Sequence, residues 1–198
     1  MIDLDKIFHH VTELTGDVWV ADYTEETKNE DKESRQGVVI SSQPITNIAS
    51  FHLVNPDGMP YYAVNFEENK DFFPQGRKDC ECMFRCKEVV EGGWLLLLEL
   101  KYCLDKEPNR TQNANKAYEQ LIDTFDLLMS KKVFNPKTCH CFLNISMPNN
   151  KLKVPFTSFL FTPEMKAQLR RTKKFVLLGV NEMLIVNKGI LKPILRKG

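Results

Sequence analysis

R-K-D-C-E-C-M-F, residues 77–84, is followed through Glu91-Gly92-Gly93 by W-L-L-L-L-E-L-K-Y, residues 94–102. Apolar and aromatic residues dominate both runs, and the glycine pair between them is turn chemistry, so residues 78–85 and 94–102 are predicted as two strands of a hairpin. Strand side chains alternate between faces. Asp79 and Glu81 therefore share one face, Cys80 and Cys82 share the other, and Glu99 lies on one face with Lys101. If Glu81 sits opposite Glu99, partner numbers sum to 180, and Asp79 then sits opposite Lys101. Directly opposed residues of an antiparallel pair point the same way, so one register gathers all four ionisable groups.

Outward from this hairpin, residues 111–130 place Ala114, Ala117, Tyr118, Leu121, Phe125 and Leu128 on one stripe, the pattern of a helix packed on a sheet. Residues 138–145 read as a strand. Thr162-Pro163-Glu164 is a cap with proline at the first helical position, predicting a helix over 163–174, and residues 175–186 read as a closing hairpin around Asn181. On the N-terminal side, Ile2, Leu4, Ile7, Phe8, Val11 and Leu14 fall at helical spacing, predicting an amphipathic helix over 2–14. Residues 22–36 hold six acids, three bases and no aliphatic side chain, as an exposed loop does. Residues 38–40, 48–54 and 61–66 read as strands. The expectation is an α+β fold with a mixed central sheet flanked by helices. It is read as one domain over 1–198: helix, strands and acidic loop in 1–76, the hairpin, helix and strand in 77–146, and a basic end in 147–198.

Composition agrees with an ordered chain. Nine glycines and ten prolines among 198 residues, with 27% charged residues, exclude low-complexity and fibrous classes. The longest aliphatic run is four leucines, far short of the roughly 20 residues of a membrane span. The acids in the opening M-I-D-L-D-K are unlike a secretory signal, so the expected location is the cytoplasm, with the six cysteines reduced. The net charge of +1 hides an asymmetry, because residues 151–198 carry eleven bases against two acids. Arg170, Arg171, Lys173 and Lys174 on the predicted helix are candidates for contacting a nucleic-acid backbone; the plainer reading is a solvated lysine-rich face.

Two or three carboxylates and an ammonium on one sheet face repel unless a cation offsets them. Mg²⁺ or Mn²⁺ suits such oxygen donors. Glu-x-Lys alone carries little information, since it occurs five times, at Glu26, Glu30, Glu68, Glu99 and Glu164; only Glu99 ends an aliphatic run. Burying Glu99 and Lys101 there is expensive without a partner or a task. The competing reading is a salt-bridged strand end in which Lys101 pairs with Asp79. Cys80, Cys82, Cys139 and Cys141 on adjacent strands invite a zinc reading, but Cys-x-Cys within strands is unlike the knuckle of a structural zinc site, and a reduced cysteine-lined core is favoured. His9 and His10 are neighbours that do not converge on one ligand. No phosphate-loop or dinucleotide-binding glycine motif occurs.

At these residues the sequence resembles the PD-(D/E)XK nuclease superfamily, with its restriction-endonuclease-like fold. The resemblance covers roughly residues 78–146: an acid in one strand, E-L-K closing the next after an apolar run, a helix carrying Gln120-Leu121, then the strand at 139–145. It implies a Mg²⁺-dependent (or Mn²⁺-dependent) nuclease acting on nucleic acid, with DNA the expected substrate and a homodimer the expected assembly. It implies that Glu99 is a metal ligand and catalytic residue, and Lys101 the catalytic base or charge stabiliser. The first-strand acid is Glu81, which precedes the apolar Cys-Met-Phe, or Asp79, which has the usual residue type. Gln120 resembles a glutamine that some branches place near the active site, and a further acid on the first helix would be Glu13. No Pro-Asp pair precedes the hairpin. That departure makes a noncatalytic nuclease-fold module, binding nucleic acid or a protein partner, the alternative.

Overall fold

The run of four leucines becomes the most enclosed strand of the protein because both of its faces are covered. The computed structural model describes residues 3–31, 34–88, 91–102, 108–149 and 161–195. In it β7 (Gly93–Leu100) is buried along its whole length. Leu95 and Leu97 pack with Ala117, Leu121, Phe125 and Leu128 of the helix α2 (Asn109–Ser130). Leu96 and Leu98 face the other way, packing with Val18, Val20, Phe51, Leu53, Met183 and Ile185 of a second sheet. A continuous apolar strand is what two-sided burial demands. Leu97→Ala is expected to cost about 2–5 kcal/mol of stability, read from urea unfolding, since it opens a cavity in the α2-side core.

The first sheet has six strands in the order β1 (Thr12–Leu14), β5 (Tyr61–Asn65), β6 (Cys82–Cys86), β7, β8 (Cys139–Ser146) and β9 (Phe175–Leu178). The β5–β6 and β6–β7 pairs are antiparallel, and β7, β8 and β9 run parallel. The second sheet orders β11 (Ile190–Pro193), β10 (Glu182–Asn187), β4 (Phe51–Val54), β2 (Val18–Asp22) and β3 (Val38–Ser41), with β10 and β4 parallel. The fold is α+β with two mixed sheets, α2 covering the outer face of the first. Two further helices are α1 (Thr24–Thr27) and α3 (Pro163–Lys173). Among the described residues, no helix is long and apolar enough to cross a membrane.

The expected register holds as far as Cys82, and the expected Glu81–Glu99 and Asp79–Lys101 pairs fall beyond the end of the ladder. Cys82 pairs with Leu98, Met83 with Leu97 and Phe84 with Leu96, each summing to 180. Gly92, at φ 83°, precedes β7 in a conformation that favours glycine. The helix expected over 2–14 does not form: among its described residues there is a 3-10 turn at Leu4–Lys6 and then β1. Leu4 and Phe8 are buried as their spacing implied, but Asn69 takes the backbone of His10 in a two-way bond, and Thr12–Leu14 add to the edge of β5. Tertiary hydrogen bonds override the local period here. The closing hairpin expected over 175–186 is a crossover instead. β9 pairs with β8 in the first sheet, and β10 pairs with β4 and β11 in the second.

Candidate functional site

The strand β7 ends at Leu100, and the E-L-K triplet therefore lies where the sheet meets solvent. Glu99 is 0% exposed. Its Oε1 accepts a bond from the Lys101 ammonium, while Oε2 is buried without a partner among the described residues. Lys101 keeps one-fifth of its side chain (20%) at the surface. The structure thus answers the pairing expected from the sequence differently: Lys101 is bonded to Glu99 rather than to Asp79, and its own N–H donates to the Ser146 carbonyl.

Ladder pairing between β6 and β7 stops at Cys82. The Glu81 N–H still reaches the Leu98 carbonyl, and its carbonyl accepts from Phe66 N–H. This step out of register breaks the alternation expected at residues 79–82. Cys80 joins the α2-side core while Cys82 joins the core between the sheets, so the two thiols do not share a face. The five described cysteines are buried free thiols; Cys139 and Cys141 accompany Cys80, and Cys86 accompanies Cys82. Cys103 lies outside the described residues.

Electrostatics bring Glu81 and Glu99 together. Burial pushes the Glu81 carboxyl well above its ordinary range, the Glu99 charge adds to this, and Asp22 follows as the next contributor, ahead of Lys101 and Asp79. Glu99 is raised to about 7, first by burial, against the opposing pull of Lys101. Lys101 is raised by the charges of Glu99, Glu81 and Asp22, which outweigh its own burial. Asp79 is raised mainly by burial and feels Lys70 and Glu67. The Glu99 charge acts on Glu81 and the Asp79 charge acts on Glu99, so both candidates for the first-strand acid lie within its electrostatic reach.

Gln120 acts on the chain entering β6. Its Nε2 donates to the Asp79 carbonyl at 2.9 Å, and one turn on, Thr124 Oγ1 accepts from Cys80 N–H at 2.9 Å. The fully buried Thr124, which the sequence offered no reason to single out, and Gln120 together fix the residues leading to Glu81. Glu13 is not part of the site: it lies on β1, opposite Tyr62, and its carboxylate binds Lys87 at 2.7 Å. Arg170, Arg171, Lys173 and Lys174 are exposed at the C-terminal end of α3. Phe175 is level with Cys141, and Cys141 with Leu95. The strand that follows the basic cluster thus begins four positions, roughly 13 Å, from the level of Glu99 along the sheet.

The donor set is chemically suited to a hard divalent cation: carboxylate oxygens, one of them buried and unsatisfied. Among the described residues, no three acidic, histidine or cysteine side chains already converge as a ligand set. Glu99 is fixed by burial and by Lys101, whereas Glu81 and Asp22 are half-buried by surface area, and Asp22 Oδ1 accepts the Thr24 N–H. No family model, curated protein or solved structure matches the chain.

Proposed function

We propose that the chain is a Mg²⁺- or Mn²⁺-dependent endonuclease of the PD-(D/E)XK, restriction-endonuclease-like superfamily, hydrolysing phosphodiester bonds in DNA. The observation that carries this reading is Glu99: a fully buried carboxylate at a strand end, one oxygen held by Lys101 and the other unsatisfied, with the Glu81 charge beside it. An ordinary salt bridge does not need a second, orphaned acceptor in a dry place. The order of elements is also that of the resemblance: an acid entering β6, E-L-K closing β7, then α2 with Gln120, then β8.

Glu99 and Glu81 are the residues that would hold the metal, which when bound supplies a Lewis acid at the phosphate. Lys101 offers the solvent-facing ammonium, placed to orient an attacking water and to offset charge growing on the phosphate oxygens. Gln120 and Thr124 position Glu81 through the backbone at Asp79 and Cys80. The exposed α3 cluster would contact phosphates of the bound nucleic acid, and a homodimer would present two such sites to a duplex.

The test is incubation of supercoiled plasmid and of labelled DNA and RNA oligonucleotides with Mg²⁺, Mn²⁺ or EDTA. Cleavage that appears with either metal and disappears with EDTA is expected. Salt-sensitive DNA binding without cleavage in either metal would replace the reading with that of a noncatalytic nuclease-fold module.

A further inference from the structure

We propose that the open edge of β3 takes up an extended basic peptide as an added strand, seating one of its apolar side chains in a cavity between the two sheets. The proposal is independent of the metal-site reading. Among the described residues β3 pairs only with β2, and it forms one border of the second sheet. Its four residues, Val-Val-Ile-Ser, include none of the lysines or prolines that blunt such a border. The Tyr23 N–H donates to the Gly37 carbonyl, so the backbone groups of Gly37, Val39 and Ser41 face β2, and those of Val38 and Ile40 face away from it.

At Val38 the free edge is already taken. Asn65 Nδ2 donates to the Val38 carbonyl at 2.9 Å and Glu67 Oε2 accepts the Val38 N–H at 2.7 Å, so two side chains stand in for a neighbouring strand. Gly37 makes room for this, because a Cβ there would collide with the Glu67 carboxylate. Two residues on, Ile40 turns the same pair of backbone groups outward beside a cavity of about 350 Å³. Leu14, Val18, Ile40 and Ala63 give the cavity apolar walls, and His10 and Glu68 add polar groups. A peptide residue opposite Ile40 would exchange both backbone bonds with it and point its side chain to the same face, into that space. Main-chain bonds along an edge, with a pocket for the alternate side chain, are the two parts of strand addition. The sign of the partner's charge follows from Glu68, whose one contact among the described residues is a long one, 3.5 Å from Asn65 Nδ2. Residues 22–36, which precede β3, add six acids against three bases.

The test titrates the peptide acetyl-Ser-Lys-Ser-Leu-Ser-Lys-Ser-amide, with a lysine two residues to either side of its leucine, into the isotope-labelled full chain and follows the backbone amide resonances. Saturable shifts centred on Ile40 are expected. Methylating the leucine nitrogen deletes the bond to the Ile40 carbonyl and is expected to weaken binding at least about fivefold. Glu68→Lys changes an exposed side chain, matching thermal midpoints check that the fold is kept, and a loss of at least about fivefold is expected there too. An absence of saturable shifts, or binding that withstands either change, would overturn the proposal. Equal shifts from acetyl-leucine-amide alone would overturn it in favour of a pocket for a small amide.

Discussion

Glu99→Gln is expected to lower metal-dependent DNA cleavage by at least about 10³-fold, measured as the single-turnover rate on a labelled duplex. Glutamine is nearly isosteric and can still accept from Lys101, so packing at the end of β7 is kept while the carboxylate charge is lost. The unsatisfied Oε2 is replaced by an amide that offers no anionic ligand. A variant retaining wild-type cleavage would remove Glu99 from the chemistry. A fall in rate accompanied by collapse of the thermal midpoint would place its role in folding instead.

The second large effect concerns stability. Lys101→Met is expected to destabilise the metal-free protein by about 1 kcal/mol more at pH 8 than at pH 5, measured by urea unfolding. The sign follows from Glu99. Its folded-state pKa lies near 7, above its ordinary 4.5, so stability is greatest below the ordinary value and falls as pH rises through that window. Burial-raised Glu81 acts in the same direction. Lys101 limits the loss by pairing with the Glu99 anion. Without it, burial pushes the Glu99 carboxyl further up and folding at pH 8 must take up a proton there, whereas at pH 5 the carboxyl is already protonated in the fold and the absent ammonium matters little. Equal losses at both pH values would show that Lys101 contributes packing rather than charge compensation.

The β6–β7 register was legible because a central strand with apolar residues on both faces leaves few alignments that keep its terminal charges at the rim. α2 was legible for the same reason: its stripe must cover Leu95 and Leu97, and it does. Residues 2–14 were not legible. Leu4 and Phe8 serve a packed turn as well as a helix, and the deciding bonds come from Asn69, 59 positions away from His10. The 175–186 segment misled because hairpin and crossover share one alternation. What selects the crossover is distant: Asn144 bonds both backbone groups of Val180, and Asn181 accepts from Ser146 and Met147.

At the candidate site, Glu99, Lys101, Glu81 and Gln120 were visible as a local pattern, and the structure brings them to one end of the sheet. Asp22 was hidden among the six acids of a segment that reads as a solvated loop. Its place at the end of β2, with its backbone N–H on Tyr102, comes only from the pairing of distant segments. The basic residues of α3 carried a correct sign of charge and no information about distance.

Sandwiching β7 has a consequence for biosynthesis. The layers that cover β7 are α2 on one side and, on the other, a sheet completed by β10, both of which leave the ribosome after β7 itself. A nascent chain that has just emerged past Tyr102 carries an ordinary hydrated glutamate there, with ordinary acidity. The dry setting of the E-L-K end of β7 is therefore acquired only after β10 has been made.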